Sequence, residues 1–299
     1  MSSAPKITGN CPYPDSPSYG NRGLGRFVDV GWVLDTDFAK FIWNAPQRVR
    51  RQRSQSVHAK SLARCPAVHD SDGRLFEISC PFDIHIELYR NSEGTLLLKN
   101  LAGPQSPIRS KHLSNCVKLI NQTEWAHPGR PVIQIITPYV LVADEPVYAN
   151  QLPAFGYYRP DPLPGLMVAG RFPADIWPRH LMWAFEWHAL DRPLKLTRGE
   201  PWWYIRFDHI DPSRSVRMVP AEMTSELREY MKGIEGVTNY VDQTYDLFKI
   251  ARARRPESLL TRKTGHPGNE ATEIDEAAQI SAAAEENIRK LQDELYRSN

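Results

Sequence analysis

Between about residue 62 and residue 220 the chain repeats one pattern, a short run of β-branched and aromatic residues followed by turn chemistry. The runs are RLFEISC after DSDG, FDIHIELY before NSEG, TLLLKN, PVIQIITPYVLVAD, GLMVAGRF, LKL before TRGEP, and WWYIRF. Apolar positions two apart, bounded by Gly, Asn, Asp and Pro, mark half-buried strands. The pattern predicts a mainly β fold, an antiparallel β-sandwich or barrel-like domain, followed by C-terminal helices. DSDG reads as a hairpin turn, and RHLMWAFEWHALDRP as a tryptophan-rich junction of helical or irregular spacing.

The ends differ from this middle. Residues 1–61 read as an extended N-terminal arm and a basic loop: Pro and Gly punctuate the first 22 residues, RFVDVGWVL alternates like a strand, and Arg48, Arg50, Arg51 and Arg53 crowd into six positions. Residues 62–220 form the β-rich domain. Beyond Pro220 the period lengthens to that of a helix, and Met223, Leu227, Tyr230, Ile234, Val237, Val241 and Phe248 fall on one stripe, predicting a packing helix over 221–252. Residues 253–299 read as a linker and a second helix, whose Ile274, Ile288, Leu291 and Leu295 lie on an a/d seam. That seam implies docking on the chain's own β domain or self-association with a protein partner.

Composition narrows the function classes only slightly. Lys plus Arg (37) nearly balance Asp plus Glu (35) in 299 residues, so an electrostatic partner must act through a local patch. The arginines at 48–53 are the patch available for an anionic surface, although a solvated basic loop explains them equally simply. No apolar run reaches the roughly 18 residues of a membrane span and the N-terminus lacks an apolar signal core, which points to no membrane and a cytoplasmic location. Cys11, Cys65, Cys80 and Cys116 show no C-x-x-C spacing and read as reduced thiols.

Three candidate sites follow from strand periodicity. In WWYIRF, alternation places Trp203, Ile205 and Phe207 on a core face, and Trp202, Tyr204 and Arg206 on the other, where an indole, a phenol and a guanidinium offer a binding surface. In DIHIE, Asp83, His85 and Glu87 share a face, so His85 and Glu87 are candidate metal ligands of the His-x-carboxylate kind used by mononuclear iron oxygenases, with His180, His188 or His209 available as a third ligand. A polar outer strand face explains the same residues. The third candidate is the arginine patch. No nucleophile elbow, phosphate-binding glycine loop or dinucleotide fingerprint is present.

RCPAVHDSDGRLFEISCPFDIHIELY and LPGLMVAGRFPADIWPRHLMWAFEWHALDRPLKLTRGEPWWYIRF resemble a family of bacterial and viral proteins known only as a domain of unknown function. The shared features are a Cys-Pro start, a strand ending in Cys/Pro, a Pro-Gly strand, an acidic-x-Trp segment, and a Gly-Glu-Pro turn opening an aromatic strand. The resemblance covers about Arg64 to Phe207 and implies a compact β-rich fold without an assigned activity. With no complete catalytic set, the sequence favours a non-enzymatic binding or assembly protein without a cofactor. The alternatives are a mononuclear non-haem iron enzyme using His85 and Glu87, and carbohydrate or peptide recognition through the aromatic strand face.

Overall fold

The computed structural model describes residues 27–37, 41–49, 61, 65–103, 106, 108, 113–211, 214–238 and 244–264. Its elements are β1 (Phe27–Leu34), β2 (Gln47–Arg48), α1 (Pro66–Gly73), β3 (Leu75–Ser79), β4 (Ile84–Arg90), β5 (Leu96–Asn100), α2 (Leu113–Cys116), β6 (Lys118–Leu119), β7 (Val132–Ala143), β8 (Val147–Pro153), β9 (Gly165–Met167), β10 (Gly170–Pro173), β11 (His180–Trp187), β12 (Leu194–Leu196), β13 (Pro201–His209), β14 (Ser215–Pro220), α3 (Ser225–Thr238) and α4 (Thr244–Arg254). The fold is mainly β, as the alternation predicts. A six-stranded sheet runs β14-β1-β7-β11-β9 with β6 also on β7, a five-stranded sheet runs β10-β8-β13-β3-β2, and a three-stranded sheet runs β12-β4-β5. All pairs are antiparallel except β1 with β14.

Inward positions from all three sheets meet in one core. Ile133, Ile135 and Leu141 of β7 and Trp183, Phe185 and Trp187 of β11 face Ile78 of β3 and Trp203 and Ile205 of β13, while Ile84 and Ile86 of β4 supply the third side. The period of two puts alternate residues on one face, so β7 carries a second apolar set on its other face. There Val140 and Val142, with Val33 of β1, pack against Leu227, Tyr230 and Ile234 of α3 and Leu247 and Ala251 of α4. The Thr224 hydroxyl caps α3 by accepting the Leu227 N–H at 3.1 Å.

Several expectations are corrected. Residues 1–61 are not an arm throughout: β1 lies inside the six-stranded sheet between β14 and β7, with Val28 and Val30 fully buried. DSDG is not a hairpin turn but the end of α1, which starts on Pro66, where the missing proline N–H costs nothing. HLMWAFEW is strand β11, its Leu181, Trp183, Phe185 and Trp187 buried in strict alternation. The stripe over 221–252 forms two helices rather than one.

The start of the expected linker is structural. Asp144 accepts hydrogen bonds from the Leu259 N–H at 2.7 Å, the Ser258 hydroxyl at 2.7 Å and Arg255 Nη2 at 3.1 Å, which straps 255–260 against the end of β7. Leu259 is buried beneath this strap. Glycine at position 31 makes room for it: a Cβ there would lie 2.3 Å from Leu260 Cδ1 and 2.7 Å from the Ala221 Cβ. The seam residues Ile274, Ile288, Leu291 and Leu295 lie outside the described residues.

Candidate functional site

A cleft of about 570 Å³ opens between the ends of β13 and β14, with β2, β3 and α1 forming its other walls. Its apolar floor is Phe76 and Phe207, whose rings meet edge to face at 5.7 Å. Arg48 stands over the Phe76 ring, 5.0 Å from its centroid, and donates from Nη1 to the Gly73 carbonyl at 2.6 Å, which ties β2 to the end of α1. A guanidinium over an aromatic face is favoured by the ring quadrupole.

The walls are densely charged. Arg74 pairs with Asp70 at 3.1 Å across one turn of α1, with both side chains well exposed. Arg214 grips Glu145 through both guanidinium nitrogens and donates to the Phe27 carbonyl at 3.0 Å. The hydrogen bond that Arg214 donates to Glu145 holds the Arg214 pKa above its ordinary value, so its charge is fixed. Asp208 lies between Arg206 at 3.4 Å and Arg171 at 3.7 Å. His209 Nδ1 lies 3.0 Å from the Asp211 backbone nitrogen and 3.2 Å from the Asp211 carbonyl oxygen, which ties the imidazole to the Asp211 backbone. His69 also lines the cleft. Arg48, Arg74 and Arg214, with Arg171 and Arg206 behind Asp208, thus face the carboxylates of Asp70, Asp208, Asp211 and Glu145.

Comparison with protein-family models, with curated proteins and with solved structures finds no match.

The residues expected to form sites are dispersed. Of the basic patch, Arg48 is in the cleft, and Arg50, Arg51 and Arg53 lie outside the described residues. The aromatic strand face does not survive as a unit. The register of β13 against β3 shifts between Pro201 and Trp203, and such an irregularity breaks the alternation. Trp202 therefore joins Trp203 in the core at 2% exposure, with ring centroids 4.6 Å from Trp203, 5.3 Å from Trp183 and 5.7 Å from Phe82. It is a core residue, which removes it from any binding surface. Tyr204 is buried at 3% exposure and meets the Phe155 ring at 5.4 Å, and Arg206 alone of the three is exposed.

His85 and Glu87 do point outward from β4, as alternation requires. Glu87 accepts from Lys99 Nζ at 2.8 Å, and His85 lies opposite Lys195 of β12. The three histidines considered as a third ligand serve elsewhere: His180 meets Asp35 at 3.1 Å, His188 meets Glu186 at 2.8 Å, and His209 is in the cleft. Among the described residues no three His, Cys, Asp or Glu side chains gather closely enough to hold a metal ion. Cys65 and Cys80 are free thiols, and burial pushes the Cys80 pKa up to about 12, far from a reactive thiolate. No helix among the described residues is long and apolar enough to cross a membrane.

Proposed function

We propose that the protein is a non-enzymatic binding protein and that the cleft between β13 and β14 is its ligand site, taking a small molecule that joins a flat ring to an anionic group. The observation that carries this reading is the pairing of an aromatic floor, Phe76 and Phe207, with Arg48 and Arg74 at its edge. Concave sites with apolar walls and a few convergent polar groups are the usual form of small-molecule pockets. Five guanidinium groups against four carboxylates give the site and its ion-pair partners a small positive excess. The arginines that follow Arg48 in the sequence add to the local positive charge of the chain.

Phenyl phosphate tests this by calorimetric titration, with inorganic phosphate and phenol as the two half-ligands. Phenyl phosphate should bind more tightly than either half. Arg74→Ala, at an exposed position, should leave the fold intact and weaken binding by about ten-fold, as loss of a hydrogen bond to a charged group does. Equal, millimolar-or-weaker responses to all three compounds, or an Arg74→Ala protein that binds as well as the native one, would remove the cleft as a site of this kind.

A further inference from the structure

The charges of the cleft are not shared evenly between its walls. Apart from the imidazoles of His69 and His209, the β2–α1 wall sets Arg48 and Arg74 against a single carboxylate, Asp70. On the β13–β14 wall Asp208, Asp211 and Glu145 are matched by Arg171, Arg206 and Arg214. The unmatched positive charge therefore lies on the first wall, and that is where an anionic group settles. A phosphate monoester carries about −1.5 to −2 at neutral pH, so one phosphate already exceeds the excess and a di- or triphosphate overshoots it further. The second wall makes a different demand. Ionised carboxylates only accept hydrogen bonds, so the part of a ligand that reaches Asp208 and Asp211 must present donors. At about 570 Å³ the cleft also has the size that takes drug-sized ligands, with room beyond one ring and one phosphate.

We propose that the ligand is a ribonucleoside 5′-monophosphate, an assignment that rests on the reading of the cleft as a site for a ring joined to an anion. The base lies on the half-buried Phe207 ring, beside the Phe76 ring whose face Arg48 covers. The phosphate meets Arg74 and Arg48. The ribose hydroxyls, on the other side of the sugar, donate to the carboxylate wall, Asp211 first, because Asp208 is already shared between Arg206 and Arg171. One molecule of this class supplies the three parts the cleft calls for: a flat ring, a pair of hydroxyl donors and a single phosphate. A carboxylate that accepts from ribose hydroxyls is a recurrent device of nucleotide sites. The sequence carries no glycine-rich loop of the kind that cradles a polyphosphate, in keeping with one phosphate held by side chains.

Calorimetric titration of the full chain with the 5′-monophosphates of adenosine, guanosine, cytidine and uridine tests this, with phenyl phosphate as the reference. The best of these should bind about ten-fold or more tightly than phenyl phosphate, as added hydrogen bonds to a charged group allow. Its 2′-deoxy form should lose about ten-fold, and its triphosphate should bind no more tightly than the monophosphate. Asp211→Asn should close the gap between the ribose and deoxyribose forms, while phenyl phosphate binds no more weakly and the unfolding midpoint holds. Monophosphates that bind no better than phenyl phosphate, ribose and deoxyribose forms that bind equally, or an Asp211→Asn protein that keeps the full ribose preference each overturn the assignment. If phenyl phosphate still exceeds its two halves, the ring-and-anion reading survives that result; if it does not, both fall together.

Discussion

Replacing Asp175 by Asn should stabilise the protein, by an amount that depends on pH. Asp175 is 1% exposed just after β10, and neither carboxylate oxygen has a well-formed hydrogen bond, the Asp175 and Val147 backbone N–H groups lying close without good geometry. Burial pushes its pKa from 3.8 to about 6, and nearby backbone N–H groups, Arg252 and Arg255 offset this only in part. The raised value means that the folded state holds the proton more tightly than the unfolded chain does. Above pH 6 both states are ionised and the fold carries the full penalty; as the pH falls from about 6 to 3.8 the folded protein takes up the proton first and the penalty disappears. A shift of about two units corresponds to roughly 3 kcal/mol. Asp175→Asn, neutral at every pH, should therefore gain up to roughly 3 kcal/mol at pH 7.5 in urea unfolding, and the gain should shrink below pH 6 and vanish near pH 4. Taking the difference between the two proteins at each pH cancels the titration of every other carboxylate. A variant less stable than the native protein by the same amount from pH 4 to pH 8 would refute the reasoning, because the carboxylate would then serve as an acceptor that the fold requires and not as an unrelieved charge.

Two further outcomes follow from packing. Trp202→Ala and Trp203→Ala should each lose roughly 3 to 5 kcal/mol in chemical unfolding, as large-to-small changes at buried aromatics do; a Trp202→Ala loss below about 1 kcal/mol would place that ring outside the core. Gly31→Ala should cost about 1 to 3 kcal/mol through overpacking beneath the strap, and pairing it with Leu260→Ala, which withdraws the nearest atom, should restore part of that; a Gly31→Ala protein of native stability would show that the strap moves freely.

The strands were legible where one face is apolar and the other polar, as in β3 and β4, and where a long run of β-branched residues marks a strand apolar on both faces, as in β7. They were not legible where the contrast fails. In β11 the outward positions His180, Met182, Ala184 and Glu186 mix apolar and polar types, so its inward Leu181, Trp183, Phe185 and Trp187 do not stand out as a period of two. The fate of Trp202 was hidden for a different reason: alternation counts along one strand, whereas the shift that turns Trp202 inward is a property of β13 paired with β3. The break between α3 and α4 was foreshadowed by the weak centre of the stripe, but Gly233 and Gly236 lie within α3, which extends to Thr238. Glycine lowers helix propensity by only about 1 kcal/mol, which the burial of Leu227, Tyr230 and Ile234 against the sheet outweighs.

The cleft had no signature in the sequence, for a reason that bears on how it is to be tested. Its residues come from positions 48, 69–76 and 207–216, and no spacing joins them. In the sequence Arg48 stands out only for the company of Arg50, Arg51 and Arg53, whereas in the structure its Phe76 and Gly73 contacts give it a role that none of its sequence neighbours explains. A site assembled in this way depends on the short strand β2 staying paired with β3, through Gln47, Arg48 and the Val49 N–H, which bonds the Leu75 carbonyl at 2.9 Å. Arg48 is thus both a wall of the cleft and one of the few residues holding that wall in place, and its replacement would confound loss of a ligand contact with loss of the edge strand. Arg74 carries no such double duty: its partner Asp70 sits on the same helix turn and both are exposed. Binding lost with Arg74→Ala at unchanged stability therefore reports on the ligand, whereas binding lost with Arg48→Ala would report on either.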